Sequence, residues 1–162
     1  MKPKLFAGFR AAFLIAALLV PLVACAQRPP PPMATPNDQR NALNHMRTQL
    51  NLFQNATRTA SNFGAQAAGN LEGQFQETRN VYHGFLQTLT PQQRDYGANS
   101  LGELDAGFDI LGEAFTYYQN DLAAGRPANA ALRDLCKLLR QGMQMWSQEF
   151  NKTCSALRVG LG

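Results

Sequence analysis

The sequence predicts an all-α protein: an up-down-up-down four-helix bundle that follows a signal peptide and a proline-rich tether. Three observations carry that prediction. From about residue 39 onward, apolar residues recur at three- and four-residue steps, the period of one helix face. The striped segments are separated by short stretches rich in Gly or Pro, and short connections make consecutive helices antiparallel neighbours. No run shows the alternation of apolar and polar residues that a half-buried strand requires.

Residues 1–24 read as a leader. Lys2, Lys4 and Arg10 make a basic start, and an apolar run covers residues 11–20. A membrane-spanning helix needs about 20 predominantly apolar residues, and this run, bounded by Arg10 and Pro21, falls short. Leu22-Val23-Ala24-Cys25 at its end resembles the lipobox of bacterial lipoproteins. The resemblance implies cleavage before Cys25, a diacylglyceryl group on its thiol and an N-acyl chain such as palmitate. Ala26, where an Asp would retain a lipoprotein at the inner membrane, implies the periplasmic face of the outer membrane. Ala24-Cys25-Ala26 also fits an ordinary secretory cleavage site, which would start the chain at Gln27.

Length and charge narrow the function classes. A chain of 162 residues suits one folding unit after a short leader. The formal charge of +4 includes Lys2, Lys4 and Arg10; without them it falls to +1, which leaves no case for nucleic-acid binding.

Residues 25–38 are expected to be a lipidated cysteine and linker, and residues 39–159 the bundle. The four prolines at 29–32 bar a helix, and over residues 27–37 a polyproline-type spacer would reach about 30 Å at about 3.1 Å per residue. The first helix carries Leu43, Met46, Leu50, Phe53 and Ala60 on one stripe. A turn is expected near residues 64–70, with one very long helix as the alternative, before Leu71, Phe75, Tyr82, Phe85, Leu86 and Leu89 resume the pattern. Thr90-Pro91-Gln92-Gln93 is a capping box with proline at the first helical position. It opens a seam of Leu101, Leu104, Phe108, Leu111, Phe115, Tyr118 and Leu122. Gly97, Gly102, Gly107 and Gly112 interrupt this helix at a spacing that rotates around it, so no close-contact face is expected. Gly125-Arg126-Pro127 ends it, and Leu132, Leu135, Leu139, Met143, Trp146, Phe150 and Leu157 mark the last helix.

Acidic residues concentrate between 94 and 125 and basic ones from Arg126 onward, which suggests complementary faces on the last two helices. Asp105, Asp109 and Glu113 share a helical spacing, but no His joins them as in di-metal bundles, so no metal site is expected.

Cys136 and Cys154 are the unlipidated cysteines of a chain bound for an oxidising compartment. On one continuous helix they stand about 27 Å apart, whereas a disulfide needs alpha carbons within about 7 Å. Three arrangements stay open: an intrachain disulfide with the helix folded back near Gly142, buried free thiols, or a homodimer that pairs Cys136 of each copy with Cys154 of the other.

His45 and His83, with Met46, Met143 and Met145, leave non-covalent haem or metal carriage as an alternative. No ordered catalytic signature is present, and the expectation is a non-enzyme without cofactor beyond the lipid on Cys25. Leu89-Thr90-Pro91-Gln92-Gln93 resembles one copy of the Leu-Thr-x-x-Gln motif of the Spy and CpxP periplasmic chaperones. The expected function is a lipid-anchored periplasmic binding or adaptor protein, accessory to an envelope complex, with other envelope proteins as partners. A Spy/CpxP-like chaperone is the alternative that the resemblance implies.

Overall fold

The computed structural model describes residues 34–60 and 66–160. The expected leader, the lipobox with Cys25 and the prolines at 29–32 lie outside them. Within the compact unit Pro32–Gly162, four helices follow in order: α1 Pro36–Ala60, α2 Gln66–Thr88, α3 Pro91–Ala123 and α4 Ala128–Ala156. Every neighbouring pair is antiparallel. Gln39 meets Thr88 across α1 and α2, Arg79 meets Asp109 across α2 and α3, and Trp146 meets Leu104 across α3 and α4. Arg140 reaches Thr57 and closes α4 on α1. This is the predicted up-down-up-down bundle, and no strand occurs among the described residues.

Two boundaries differ from expectation. Helix α1 starts at Pro36, inside the stretch expected to be linker. Proline at a first helical position costs nothing, because that amide has no partner within a helix. Thr35 and Asp38 complete a cap: the Thr35 amide donates to the Asp38 carboxylate at 2.8 Å, and the Asp38 amide donates to the Thr35 hydroxyl at 3.2 Å. These bonds hold the Asp38 carboxyl below its usual range. Residues 66–70, expected in a turn, belong to α2, where Ala67 and Ala68 are buried. Alanine is the best helix former, and small side chains here mark close packing rather than a break.

The capping box at α3 forms as expected: Thr90 Oγ1 accepts from the Gln93 amide, and Gln93 Oε1 accepts from the Thr90 amide. At the other end Gly125 adopts φ +79, its amide donates to Leu122 O, and the Arg126 amide donates to Asp121 O. That is a Schellman cap on the residue best suited to it. The same cap closes α4, with Val159 donating to Cys154 O and Arg158 to Ser155 O, but here Arg158 holds the left-handed position at φ 51. A side chain in that region costs about 1–2 kcal/mol, partly offset in glycine by its greater unfolded-state entropy. Arg158→Gly is therefore expected to stabilise the bundle by roughly 0.5–1 kcal/mol in urea unfolding.

The predicted stripes meet in a core rich in aromatic rings. Phe75 lies 5.9 Å from Phe53, 5.7 Å from Phe108 and 5.5 Å from Phe115 between ring centroids. Tyr82 packs on Phe108, Trp146 and Phe150, and its hydroxyl donates to Leu101 O at 3.0 Å. Thr57 and Thr78 are also fully buried, each hydroxyl donating to a carbonyl of its own helix.

The expected match of charged faces between α3 and α4 holds at one end, where Arg126 donates to both Asp121 and Asp134, but further along α3 the acids pair differently. Asp109 receives Arg79 at 2.7 Å and Asp105 receives His83 at 3.0 Å, so both carboxylates face α2. Of the basic side chains of α4, Arg140 donates to Thr57 O on α1 and Lys152 meets Glu149 of its own helix. Sequence order set the expectation, but rotation of α3 about its axis decides which neighbour its charges meet.

Candidate binding groove

Two glycines bring α3 and α4 together. A Cβ on Gly107 would lie 2.9 Å from Trp146 Cδ1, and one on Gly142 would overlap the Leu111 side chain. Gly97 likewise admits Leu157, just past α4, whereas Gly102 faces open space and Gly112 meets Phe75 of α2, so the four glycines form no single close-contact face. Trp146 seals the seam from within: it is 5 % exposed, and its Nε1 donates to Leu104 O at 2.7 Å.

Outside this seam lies a groove of about 320 Å³. Gly107 and Gly142 line it with Leu104, Leu111 and Trp146, while Ile110 and Met145 line it as exposed side chains. Ile110 is 69 % and Met145 68 % exposed, large values for apolar residues. Glu103 and Glu149 also line it. Tyr117 and Leu138, at 61 % and 49 % exposure, continue the apolar face one heptad further along each helix. Large exposed apolar patches on a soluble domain are surfaces for other molecules. None of Ile110, Tyr117 and Leu138 belongs to an expected stripe, and Met145 stood out only as a candidate cofactor ligand. The out-of-phase apolar residues were the available sequence signal.

The groove offers apolar contact, the carboxylates of Glu103 and Glu149, and the hydroxyl-bearing Ser100 and Thr153. Elsewhere, His45 and His83 are both exposed, and His83 is engaged with Asp105, so neither imidazole enters the core to hold a haem. Met46 and Met143 are buried core residues. Among the described residues no cluster of three or more His, Cys, Asp or Glu could hold a metal ion.

The cysteine alternatives also separate. Helix α4 runs through Gly142 unbroken, because that glycine serves contact with Leu111 rather than a bend. Cys136 and Cys154 therefore stand about 27 Å apart on one helix, and both are free and buried. The fold-back disulfide is not formed, and Cys136 and Cys154 are 1 % and 5 % exposed. Burial pushes the Cys154 thiol up to about 12 and raises that of Cys136, with Arg47 and Arg140 opposing only in part. Because the folded values exceed the ordinary 9.0, thiol burial stabilises the bundle below that pH and loses effect as pH rises toward 12. Both thiols should resist a disulfide reagent at pH 8 for hours in buffer and react within minutes in guanidinium; fast reaction in buffer would contradict their burial.

The Leu89-Thr90-Pro91-Gln92-Gln93 motif is used internally. Leu89 is buried, Thr90 caps α3, and Gln93 makes contacts beyond its cap. Its Oε1 also accepts from Gln39 Nε2 at 2.8 Å, and its Nε2 donates to Leu157 O at 3.0 Å. Gln39 in turn donates to Thr88 O and accepts from the Gly160 amide. The two amides thus join the start of α1, the α2–α3 corner and the end of α4. Gln39 escaped the sequence reading because a single glutamine before an apolar stripe carries no periodic signal.

Comparison with protein-family models, with curated proteins and with solved structures returns no match to this chain.

Proposed function

We propose that this protein is a lipid-anchored periplasmic binding or adaptor protein, non-catalytic and accessory to an envelope complex, and that the α3–α4 groove is its docking surface. The observation that carries this reading is the exposure of Ile110 and Met145 over a seam that Gly107 and Gly142 allow to close. The lipobox resemblance supports the anchor on Cys25, and the proline-rich stretch supports a spacer between lipid and bundle. No helix among the described residues is long and apolar enough to cross a membrane.

Two measurements test it. The intact mass of protein extracted from its own membranes should correspond to an acylated chain starting at Cys25; a lipid-free chain starting at Gln27 would remove the anchor. Ile110→Glu, at an exposed site, should leave thermal unfolding within about 0.5 kcal/mol of the parent while abolishing a chemical cross-link formed with a partner in native membranes. Unchanged cross-linking would reject the groove as the docking surface. A chaperone reading shares the same exposed apolar face. It requires suppression of client aggregation in light scattering, an activity the adaptor reading does not need.

A further inference from the structure

We propose that the groove's occupant is an apolar polypeptide segment that carries a lysine or arginine, and that Glu103 and Glu149 receive this cation. The inference rests on the groove being a docking surface and adds the chemistry of what docks there.

It follows from a ladder that α3 and α4 build together. Along α3, Glu103, Ile110, Tyr117 and Asp121 are separated by seven, seven and four residues, steps that return to one helix face. Along α4, Asp134, Leu138, Met145 and Glu149 are separated by four, seven and four. The helices are antiparallel in a register that sets Leu104 and Gly107 against Trp146. The same register places Glu103 with Glu149, Ile110 with Met145, Tyr117 with Leu138 and Asp121 with Asp134. Each helix thus offers acid, apolar, apolar, acid.

The two acidic rungs differ in what fills them. At one end the chain supplies its own cation: the Arg126 guanidinium donates to both Asp121 and Asp134, bridging the helices. At the other, Glu103 and Glu149 line the groove and no Lys or Arg lines it with them. Lys152 meets Glu149 at 2.7 Å, but both are exposed and three residues apart on one helix, an arrangement of small worth. A partner lying along the groove with an apolar side chain between Ile110 and Met145 and a cation about seven residues away would complete this rung as Arg126 completes the other.

The same charges argue against a second copy of this chain as occupant. A two-fold axis lying in the face and running across the helices sets the Glu103/Glu149 rung against the Asp121–Arg126–Asp134 rung, itself net negative, and one along the helices sets it against its own kind. Both place like charge on like charge, which costs specificity and affinity.

The test is selection of random displayed peptides on the full chain, with counter-selection on Ile110→Glu. Affinities are then measured through Trp146, the single tryptophan of the chain, which lines the groove. The expected survivors combine apolar residues with Lys or Arg, and lose about tenfold or more in affinity against the Glu103→Gln/Glu149→Gln variant. That variant should keep the parent's unfolding midpoint. Survivors without a cation, or equal binding to the glutamine variant, would overturn the proposal and leave the groove a docking surface. No peptide dependent on Ile110 would overturn the docking reading as well. Concentration-dependent dimerisation lost in Ile110→Glu would make a second copy the occupant and refute the cationic partner.

Discussion

Trp146→Ala should destabilise the bundle by about 3–5 kcal/mol, the usual cost of truncating a large buried aromatic. Trp146 stacks on Phe150 with centroids 5.1 Å apart and planes at 12°, and packs on Phe108 at 4.7 Å and Tyr82 at 5.3 Å. Removing the indole leaves a cavity that three rings cannot fill without leaving their own contacts. It also withdraws a buried donor from Leu104 O. Backbone approach at Gly107 was shaped around this ring, so the cavity would sit directly beneath the groove. For a bundle of this size the loss corresponds to a fall in Tm of roughly 10–20 °C, read by circular dichroism because the variant has no tryptophan. Trp146→Phe separates the causes: it keeps a ring in place and should cost about 1–2 kcal/mol for the lost hydrogen bond and reduced volume. A loss below about 1 kcal/mol for the alanine variant would contradict the packing described.

The second large effect is expected at Gln93, a residue whose sequence role is only to cap a helix. Gln93→Ala should cost about 2–3 kcal/mol, more than the typical ~1 kcal/mol for a lost cap. The difference is tertiary. One amide accepts from the Thr90 amide and from Gln39, and donates to Leu157 O at the end of α4. Truncation strands three partly buried groups at once, each with a desolvation cost of about 1 kcal/mol or more where water does not reach. Gln92→Ala, one residue away and exposed, should be nearly neutral. Hydrogen exchange should locate the damage: amides near Leu157 and Gly160 lose protection in the Gln93 variant while those around Phe108 keep it. Uniform loss of protection would mean that the clasp does not act locally.

Local chemistry explains why so much of the architecture was readable. A capping hydroxyl, a proline at the first helical position and a glycine past the last turn act within four residues, so Thr90-Pro91-Gln92-Gln93 and Gly125 declare themselves in any context. The same box, with Asp38 in place of Gln93, starts α1 at Thr35-Pro36. The four prolines at 29–32 mask it in the sequence, because they bar a helix immediately upstream. The stripes from Leu43 to Leu157 became the core because a helix must bury one face, whatever it packs against.

The candidate site was less legible for the opposite reason. Ile110, Tyr117, Leu138 and Met145 lie off the core stripes, and each alone is an ordinary exposed apolar residue. They become a surface only when α3 and α4 are set side by side in a fixed register. The amino-acid sequence by itself determined the all-helical class, the cap and stop of α3 and the apolar stripes that the helices bury, since these follow from period and from contacts within a turn. Tertiary structure alone decided that Asp105 and Asp109 face α2, that Gly142 serves packing instead of a bend and so keeps the two thiols apart, and that Gln39 and Gln93 clasp four helices. It also set Glu103 beside Glu149 at the open end of a groove. Those outcomes depend on the rotation of each helix about its axis and on its register against the next, which the packing of side chains from distant segments sets together.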